Sequence, residues 1–464
     1  MRLQFYGAAR RVTGSKHLLT TANGTKILLD CGLFQGIGTI DLNLSFGFDA
    51  QDIDFVILSH AHIDHTGLLP RLVRQGFKGT VFCTPATKSL CEIMLLDSAR
   101  IQETDVERIN ERRKKRGEEL LEVLYEEEDA KRAIGLMKSI GYRTAVEIEP
   151  GVQFTYYESG HILGSAGIYL EFFENNYKKT LFFTGDVGRP NDKILRSPEP
   201  FPQTDYIITE STYGNRLHEP EVDMKSHLLE IVRKTCVENK GKLIIPAFSV
   251  DRTQELIYAL DVLESEGRLP RIPVYIDSPL SVKATLVMRN HEEEFNNDIL
   301  SYIKRDGDAF GFDNLHYITK VEQSKALNFS AEPCIIISAS GMAEAGRIKH
   351  HIANNCENPK NTILIVGYCS PGTLGYQIKN REEELRIFGD TFKLKANVEI
   401  MDSFSAHADY SEIIDYLGCQ DKKRVKKVFL VHGEYDTQLI FKEKLEKEGF
   451  RNVEIPQQGE GFVI

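Results

Sequence analysis

The chain has 464 residues, 41% of them hydrophobic, and a formal net charge of −11 at pH 7. That length can fill two or three cores, the acidic balance argues against a protein coated in basic surface, and no apolar run reaches the roughly 20 residues that cross a bilayer. The 8 cysteines are scattered with no Cys-x-x-Cys pair, which suits a reducing cytoplasm and argues against a disulfide framework or a cysteine-type zinc ribbon.

The N-terminus, Met1 to Gly7, has the residue pattern of a strand, not of a cleavable signal. Ser15–Thr21 and Thr25–Asp30 are apolar runs that flank Ala22-Asn23-Gly24, and Asn-Gly between such runs predicts a hairpin. Asp30-Cys31-Gly32 then ends a strand with a carboxylate and a turn glycine. The apolar strand Asp54-Phe55-Val56-Ile57-Leu58-Ser59 runs straight into His60-Ala61-His62-Ile63-Asp64-His65. Imidazole and carboxylate suit zinc. Alternate residues of an extended chain point the same way, so His60 and His62 can grip one ion. The turn that follows can aim Asp64 and His65 at a second.

Residues 86–139 are charged, poor in Gly and Pro, and spaced as helices. The run Arg112-Arg113-Lys114-Lys115-Arg116 within them reads first as a solvated helix end, because acidic residues crowd both sides, with an RNA contact as the alternative. Strand character returns over residues 146–185 and again at Tyr206-Ile207-Ile208-Thr209. The middle of the chain repeats an order of apolar strand, small-residue loop and helix, with strands beginning at Lys242, Ile272, Cys334 and Thr362. Units of that kind build a parallel sheet with its loops along one edge, where backbone N–H groups can meet anions. The last segment returns to strands that end in ligand-type residues, first before His407 and then before His432. The flanks look alike and the middle differs. One domain built from residues 1–208 and 396–464, with a parallel-sheet domain inserted at 209–395, follows as the expectation.

More ligand-type residues sit where strands end: His161 in Ser159-Gly160-His161, Asp186 in Thr184-Gly185-Asp186, and Glu210 in Thr209-Glu210-Ser211-Thr212-Tyr213-Gly214. Strand-end loops on a rigid sheet are the usual address of catalytic groups. With His60 to His65, His161, Asp186 and the early Asp30, the set resembles the metallo-β-lactamase superfamily. Glu210, His407 in Phe404-Ser405-Ala406-His407, and His432 in Val431-His432-Gly433-Glu434 resemble motifs A, B and C of its β-CASP branch. A histidine at motif C favours the RNA-cutting group, close to relatives of the pre-mRNA 3′-end-processing endonuclease.

The resemblance implies an α/β fold: a metallo-β-lactamase αββα sandwich with an inserted parallel-sheet α/β (β-CASP) domain. It implies two Zn²⁺ per chain, one held by His60, His62 and His161, the other by Asp64, His65 and His432, with Asp186 bridging both. Two ions roughly 3.5–4 Å apart can share a hydroxide near neutral pH. Asp30 would accept from a ligand imidazole and fix its orientation. His407 would be the general acid and Glu210 its orienting partner; Asp64 and Asp186 count among the catalytic groups through the metals. The implied activity is zinc-dependent hydrolysis of RNA to 5′-phosphate and 3′-hydroxyl ends, endonucleolytic with 5′-to-3′ exonuclease as a second mode, in a cytoplasmic enzyme without a membrane segment. Dimerisation is compatible with the family, though no residue shows it. RNA contacts are expected from the inserted domain, with Tyr213, Phe248 and Tyr368 to stack bases and Arg216, Arg252 and Arg347 to reach phosphates. The competing class is hydrolysis of a small thioester or lactam by the same zinc pair; a silent RNA-binding subunit is disfavoured, because every ligand position is filled.

Overall fold

The computed structural model describes residues 1–464 except 37, 175, 176, 219–223, 368, 371 and 402–404. It divides into two compact units, Met1–Leu217 with His407–Ile464, and His218–Ala406. No helix among the described residues is long and apolar enough to cross a membrane.

The first unit holds two seven-stranded sheets. One runs Gly461–Val463, Arg2–Phe5, His17–Thr20, Lys26–Leu29, Phe55–Ile57, Thr80–Cys83, Met137–Ser139. The other runs Val453–Glu454, Lys427–Leu430, Tyr206–Thr209, Tyr177–Phe183, Ala166–Glu174, Val152–Glu158, Val146–Glu149. Strand alternation explains why they face each other. Phe154 and Tyr156 of one strand, Ile168 and Leu170 of the next, and Leu181 and Phe183 of a third meet Leu3, Phe5, Leu29 and Ile57 of the opposite sheet in one core. The alternate residues Phe182, Ile207, Val428 and Leu430 point the other way, onto Ile413 and Leu417 of the helix Tyr410–Leu417 and Phe441 and Leu445 of the helix Tyr435–Lys447. On the far side the helix Pro85–Arg116 buries Leu90, Cys91, Met94 and Leu95. The layers are therefore helix, sheet, sheet, helix.

Both ends of the chain complete this unit. Gly461–Val463 pairs antiparallel with Arg2–Phe5, and Lys427–Leu430 pairs parallel with Tyr206–Thr209. The hairpin at Asn23-Gly24 forms with Thr20 opposite Lys26.

The second unit is built on a six-stranded sheet in the order Leu315–Tyr317, Val274–Ile276, Ile335–Ser338, Leu243–Pro246, Thr362–Ile365, Asn397–Ile400. Every pairing in it is parallel. Its central strands Leu243–Pro246, Ile335–Ser338 and Thr362–Ile365 are buried on both faces, as parallel strands covered by helices require.

Three expectations shift. The strand Asn397–Ile400 pairs with Thr362–Ile365 inside the second unit, so the first unit resumes at His407, not at 396. Apolar alternation identifies a strand but does not say which sheet it joins. Thr209 to Leu217 stays with the first unit, with Thr209 paired to Leu430 and Ser211 N donating to His432 O at 3.2 Å. Residues 86–139 are not helical throughout: a helix end at Gly117 (φ 68°) is followed by irregular chain, a short helix Glu127–Gly135, and the edge strand Met137–Ser139 beside Thr80–Cys83. The basic run 112–116 does end the long helix, where cations complement the helix dipole.

Phe154 is fully buried between the two sheets. A Phe154→Ala substitution is expected to lower the stability of the first unit by about 3–5 kcal/mol, read as a shift in its urea unfolding midpoint; a loss under about 1 kcal/mol would contradict the packing described.

Candidate metal centre

Four segments of the first unit follow strand ends: residues 59–65, which enter the one-turn helix Ile63–Thr66, and the loops 159–165, 184–188 and 431–433. Their approach is close enough to demand glycine. A Cβ at Gly188 would lie 1.7 Å from the carbonyl oxygen of Gly160. Asp30 (φ 58°) and His432 (φ 51°) adopt left-handed backbone, a conformation that costs a non-glycine residue about 1–2 kcal/mol and is held by its surroundings.

The side chains meet in two nests. In the first, His60 Nε2 lies 3.1 Å from His62 Nδ1, and His161 Nε2 lies 3.3 Å from the same nitrogen. Asp186 Oδ2 is 3.5 Å from His60 Nε2 and 3.5 Å from His161 Nε2. In the second, Asp64 Oδ2 is 3.4 Å from His432 Nε2. Asp186 borders this nest too, with Oδ2 3.4 Å from His65 Nε2 and Oδ1 3.7 Å from His432 Nε2. Within each set, His60, His62, His161 and Asp186, or Asp64, His65 and His432, the ligand atoms all lie within 4.8 Å of one another.

Hydrogen bonds behind the ligands dictate which nitrogen faces inward. Asp30 is fully buried and accepts from Ser59 N (2.7 Å), Ser59 Oγ (2.9 Å), Ser15 Oγ (3.1 Å) and His65 Nδ1 (2.7 Å). An ionised carboxylate only accepts, so His65 carries its proton on Nδ1 and turns a bare Nε2 inward. Ser59 Oγ spends its proton on Asp30 and so accepts from His60 Nδ1 at 3.0 Å. Thr212 Oγ1 donates to His432 O at 3.2 Å and accepts from His432 Nδ1 at 3.0 Å. Three imidazoles thus present lone pairs to the nests.

The electrostatics favour the neutral ring at His60 and His62 and oppose it at His65. Burial lowers His60 well below its usual value and His62 to about 4, despite the pull of Asp186 on both. Burial works against ionisation of Asp64, but the hydrogen bond from His432 and the charges of His65, His432 and His62 bring it down to about 2. Burial likewise opposes ionisation of Asp186; His432, His65 and His60 overcome it and hold the carboxyl well below its ordinary range. His65 is pushed up by Asp186 and Asp30 against burial, a direction that a cation in the nest would reverse by claiming the same lone pair. Asp186 Oδ1 and His65 Nε2 are buried without a hydrogen-bond partner of good geometry. Bare imidazole nitrogens, two carboxylates and orphaned buried atoms fit divalent metal.

Beside the nests, His407 Nδ1 lies 3.1 Å from each oxygen of Glu210. Glu210 is fully buried, and its Oε1 accepts from Val187 N at 2.7 Å. Ala408 N donates to Val187 O at 2.8 Å, tying the His407 loop to the Asp186 loop. Burial disfavours the imidazolium of His407; Glu210, then Asp186 and Asp64, override it and raise its pKa to about 9.

The structure therefore brings His60, His62, Asp64, His65, His161, Asp186, His432, Asp30, Glu210 and His407 together in one unit. The candidate RNA contacts fare differently. Tyr213 is buried, with Arg216 4.5 Å from its ring centroid. Arg252 is buried against Glu255, and Arg347, half-buried, is bound to the buried Asp277 (2.6 Å) and to Thr319 O (2.6 Å); each already compensates a carboxylate. Phe248 is exposed; Tyr368, like Phe404 of the His407 motif, lies outside the described residues. Sequence reasoning missed Ser15, Ser59 and Thr212, since a lone hydroxyl has no spacing signature. It also missed Lys16, fully buried with Nζ donating to Gly14 O (2.9 Å) and Gly32 O (2.7 Å) and lowered by burial to about 7.

Residues 17–130 match the Metallo-beta-lactamase superfamily, residues 253–378 the Beta-Casp domain, and residues 391–456 the Zn-dependent metallo-hydrolase RNA specificity domain. A ribonuclease of Thermus thermophilus is 35% identical over 465 residues, covering 100% of both chains. The transcription termination factor FttA of Methanosarcina mazei is 30% identical, over 94% of this chain and 67% of the relative. Cleavage and polyadenylation specificity factor 73 of Drosophila melanogaster is 30% identical, over 97% of this chain and 62% of the relative, so the chain spans under two thirds of that protein.

The Ser59 hydroxyl touches Asp30 and two ligand imidazoles at once. Ser59→Ala is expected to weaken metal binding about 10–100-fold, measured by competition with a calibrated chelator, while circular dichroism stays that of the parent. Unchanged affinity would mean that the hydroxyl does not orient His60 and His65.

Proposed function

The chain belongs to the β-CASP branch of the metallo-β-lactamase superfamily and is a metal-dependent hydrolase; on that premise we propose that it is a ribonuclease, hydrolysing RNA phosphodiester bonds at a centre of two zinc ions. The observation that carries this reading is the pair of nests sharing Asp186, with the His407–Glu210 pair alongside. A relative that matches over its full length is a ribonuclease, and the RNA specificity domain match supports the substrate class.

His60, His62 and His161 would hold one ion, Asp64, His65 and His432 the other, and Asp186 would reach both. Bound there, such ions supply Lewis-acid charge to a phosphoryl oxygen and make water acidic near neutral pH. The chain's own groups do the rest. Water attacks phosphorus, the P–O3′ bond breaks, and the departing 3′ oxygen needs a proton. His407 is the group to carry it, with its ring held by Glu210 through Nδ1. Glu210 fixes the ring plane and, being buried and bonded by Val187 N, does not swing away. This order of bond breaking leaves 5′-phosphate and 3′-hydroxyl ends. It makes no use of the 2′-hydroxyl as nucleophile, so discrimination against DNA falls to binding.

The test is cleavage of end-labelled linear RNA and of a closed RNA circle, alongside a panel of thioesters and lactams. Cutting of the circle is expected and establishes endonucleolysis. His407→Ala should keep its zinc and slow cleavage about 10²–10⁴-fold, whereas Asp186→Ala should lose both metal and activity. A His407→Ala enzyme that cuts at the parental rate would remove the general-acid assignment. Turnover of the small-molecule panel with RNA left intact would overturn the ribonuclease reading.

A further inference from the structure

Two consecutive arginines in the first unit, Arg10 and Arg11, have no part in the site described so far. They lie on the loop between the strands Arg2–Phe5 and His17–Thr20. Its backbone is tied to a ligand-bearing segment: His432 N donates to Ala8 O at 2.8 Å, and Gly433 N donates to Arg11 O at 3.1 Å. The Arg11 backbone is thus one hydrogen bond from the residue that follows His432.

The loop holds a costly shape. Ala8 (φ 47°) and Arg10 (φ 57°) are both left-handed without being glycine. Each such residue costs on the order of 1–2 kcal/mol. The shape is held by Ala8 N to Thr13 O at 3.3 Å, and by Thr13 Oγ1, which accepts from Gln35 N at 3.0 Å. Backbone strain of this kind gathers where surroundings fix a residue for a task.

The two guanidinium groups are treated differently. Arg10 is immobilised. Its Cζ lies 4.4 Å from the ring centroid of Tyr435, in cation–π contact, and Nη2 donates to Ile455 O at 3.2 Å. Arg11 is exposed, and its guanidinium has no partner among the described residues. Exposed carboxylates follow His432 in sequence at Glu434 and Asp436, yet neither is paired with Arg11 among the described residues. An unpaired arginine on a braced loop next to a ligand segment is placed for an anion that arrives with the substrate. The need is real: the chain carries −11 overall, and the centre itself collects Asp30, Asp64, Asp186 and Glu210, so a polyanion gains from a cation held nearby.

We propose that Arg11 is a substrate-binding residue that contacts a backbone phosphate of the RNA entering the metal centre, and that Arg10, clamped on Tyr435, is the positioning residue that sets the loop. This rests on the ribonuclease reading and adds a contact to it. Guanidinium suits the task because its fork matches phosphate oxygens and stays charged at any working pH.

The experiment is steady-state cleavage of an end-labelled single-stranded RNA by the zinc-loaded full chain, between 50 and 200 mM salt, for the parent, Arg11→Gln and Arg11→Lys, with zinc content measured for each. Arg11→Gln is expected to raise KM about tenfold with kcat within about twofold, and to flatten the slope of log(kcat/KM) against log[salt] by about 0.7, the loss of one phosphate contact on a single strand. Arg11→Lys should restore the salt slope and part of KM. An Arg11→Gln enzyme with the parental KM and salt slope overturns the proposal, and so does one that has lost zinc, since that would assign the loop to metal retention. A parent that leaves RNA intact while turning over a small ester sinks the ribonuclease reading instead, and is distinguished by the parent alone.

Discussion

One buried carboxylate governs this centre. Asp186 is 2% exposed, and five imidazoles stand within 4 Å of its oxygens: His60, His161 and His65 at 3.4–3.5 Å, His432 at 3.7 Å and His407 at 3.9 Å. An isolated carboxylate in such a place would be too costly to keep ionised. Here the environment does the reverse and holds it ionised. Imidazoles that are themselves kept neutral by burial, as His60 and His62 are, cannot fully compensate that charge. The remaining demand for positive charge suits the nests to a cation, in keeping with an Oδ1 buried without a hydrogen bond.

The rest of the first unit serves to keep that arrangement from collapsing into ordinary hydrogen bonds. Were the imidazoles free to rotate or change tautomer, they would bond to one another and to Asp186. Ser59, Asp30 and Thr212 prevent this by capturing the outward Nδ1–H groups, and Ser15 donates to Asp30 behind them. Those four residues stand at four different strand ends, with left-handed backbone at Asp30 and at His432, the ligand that Thr212 holds. The sandwich supplies the rigidity: the strands carrying these loops are anchored by Phe5, Ile57, Phe183, Ile208 and Phe429 in a single core. Both chain ends contribute strands to it, so the ligands from the first 186 residues and the ligand at 432 are fixed by one continuous packing.

Much of this was legible in the sequence, for identifiable reasons. His60 to His65 carry three imidazoles and a carboxylate in six positions behind an apolar strand, a density that loop chemistry alone rarely produces. His161, Asp186, Glu210, His407 and His432 sit beside turn residues after strand runs, which marked them jointly although none was telling alone. The four apolar strands of the middle third were readable because parallel strands buried on both faces are continuously apolar. What stayed hidden depends on tertiary partners. Nothing local distinguishes Ser59 or Thr212 from any other hydroxyl. The sheet that Asn397–Ile400 joins is decided by its neighbour Thr362–Ile365, not by its own residues. Lys16 looks like a solvated strand lysine until its ammonium is found capping two glycine carbonyls. Arg252 and Arg347 read as surface cations because the buried carboxylates they balance, Glu255 and Asp277, could not be known as buried.

The central claim is that two ions share Asp186. Anomalous diffraction from crystals of the zinc-loaded chain, collected on either side of the zinc absorption edge, tests it most directly. The account predicts two peaks, one among His60, His62 and His161 and one among Asp64, His65 and His432, with a carboxylate oxygen of Asp186 within bonding distance of each. A single peak, or two peaks with Asp186 turned away from either, would contradict it.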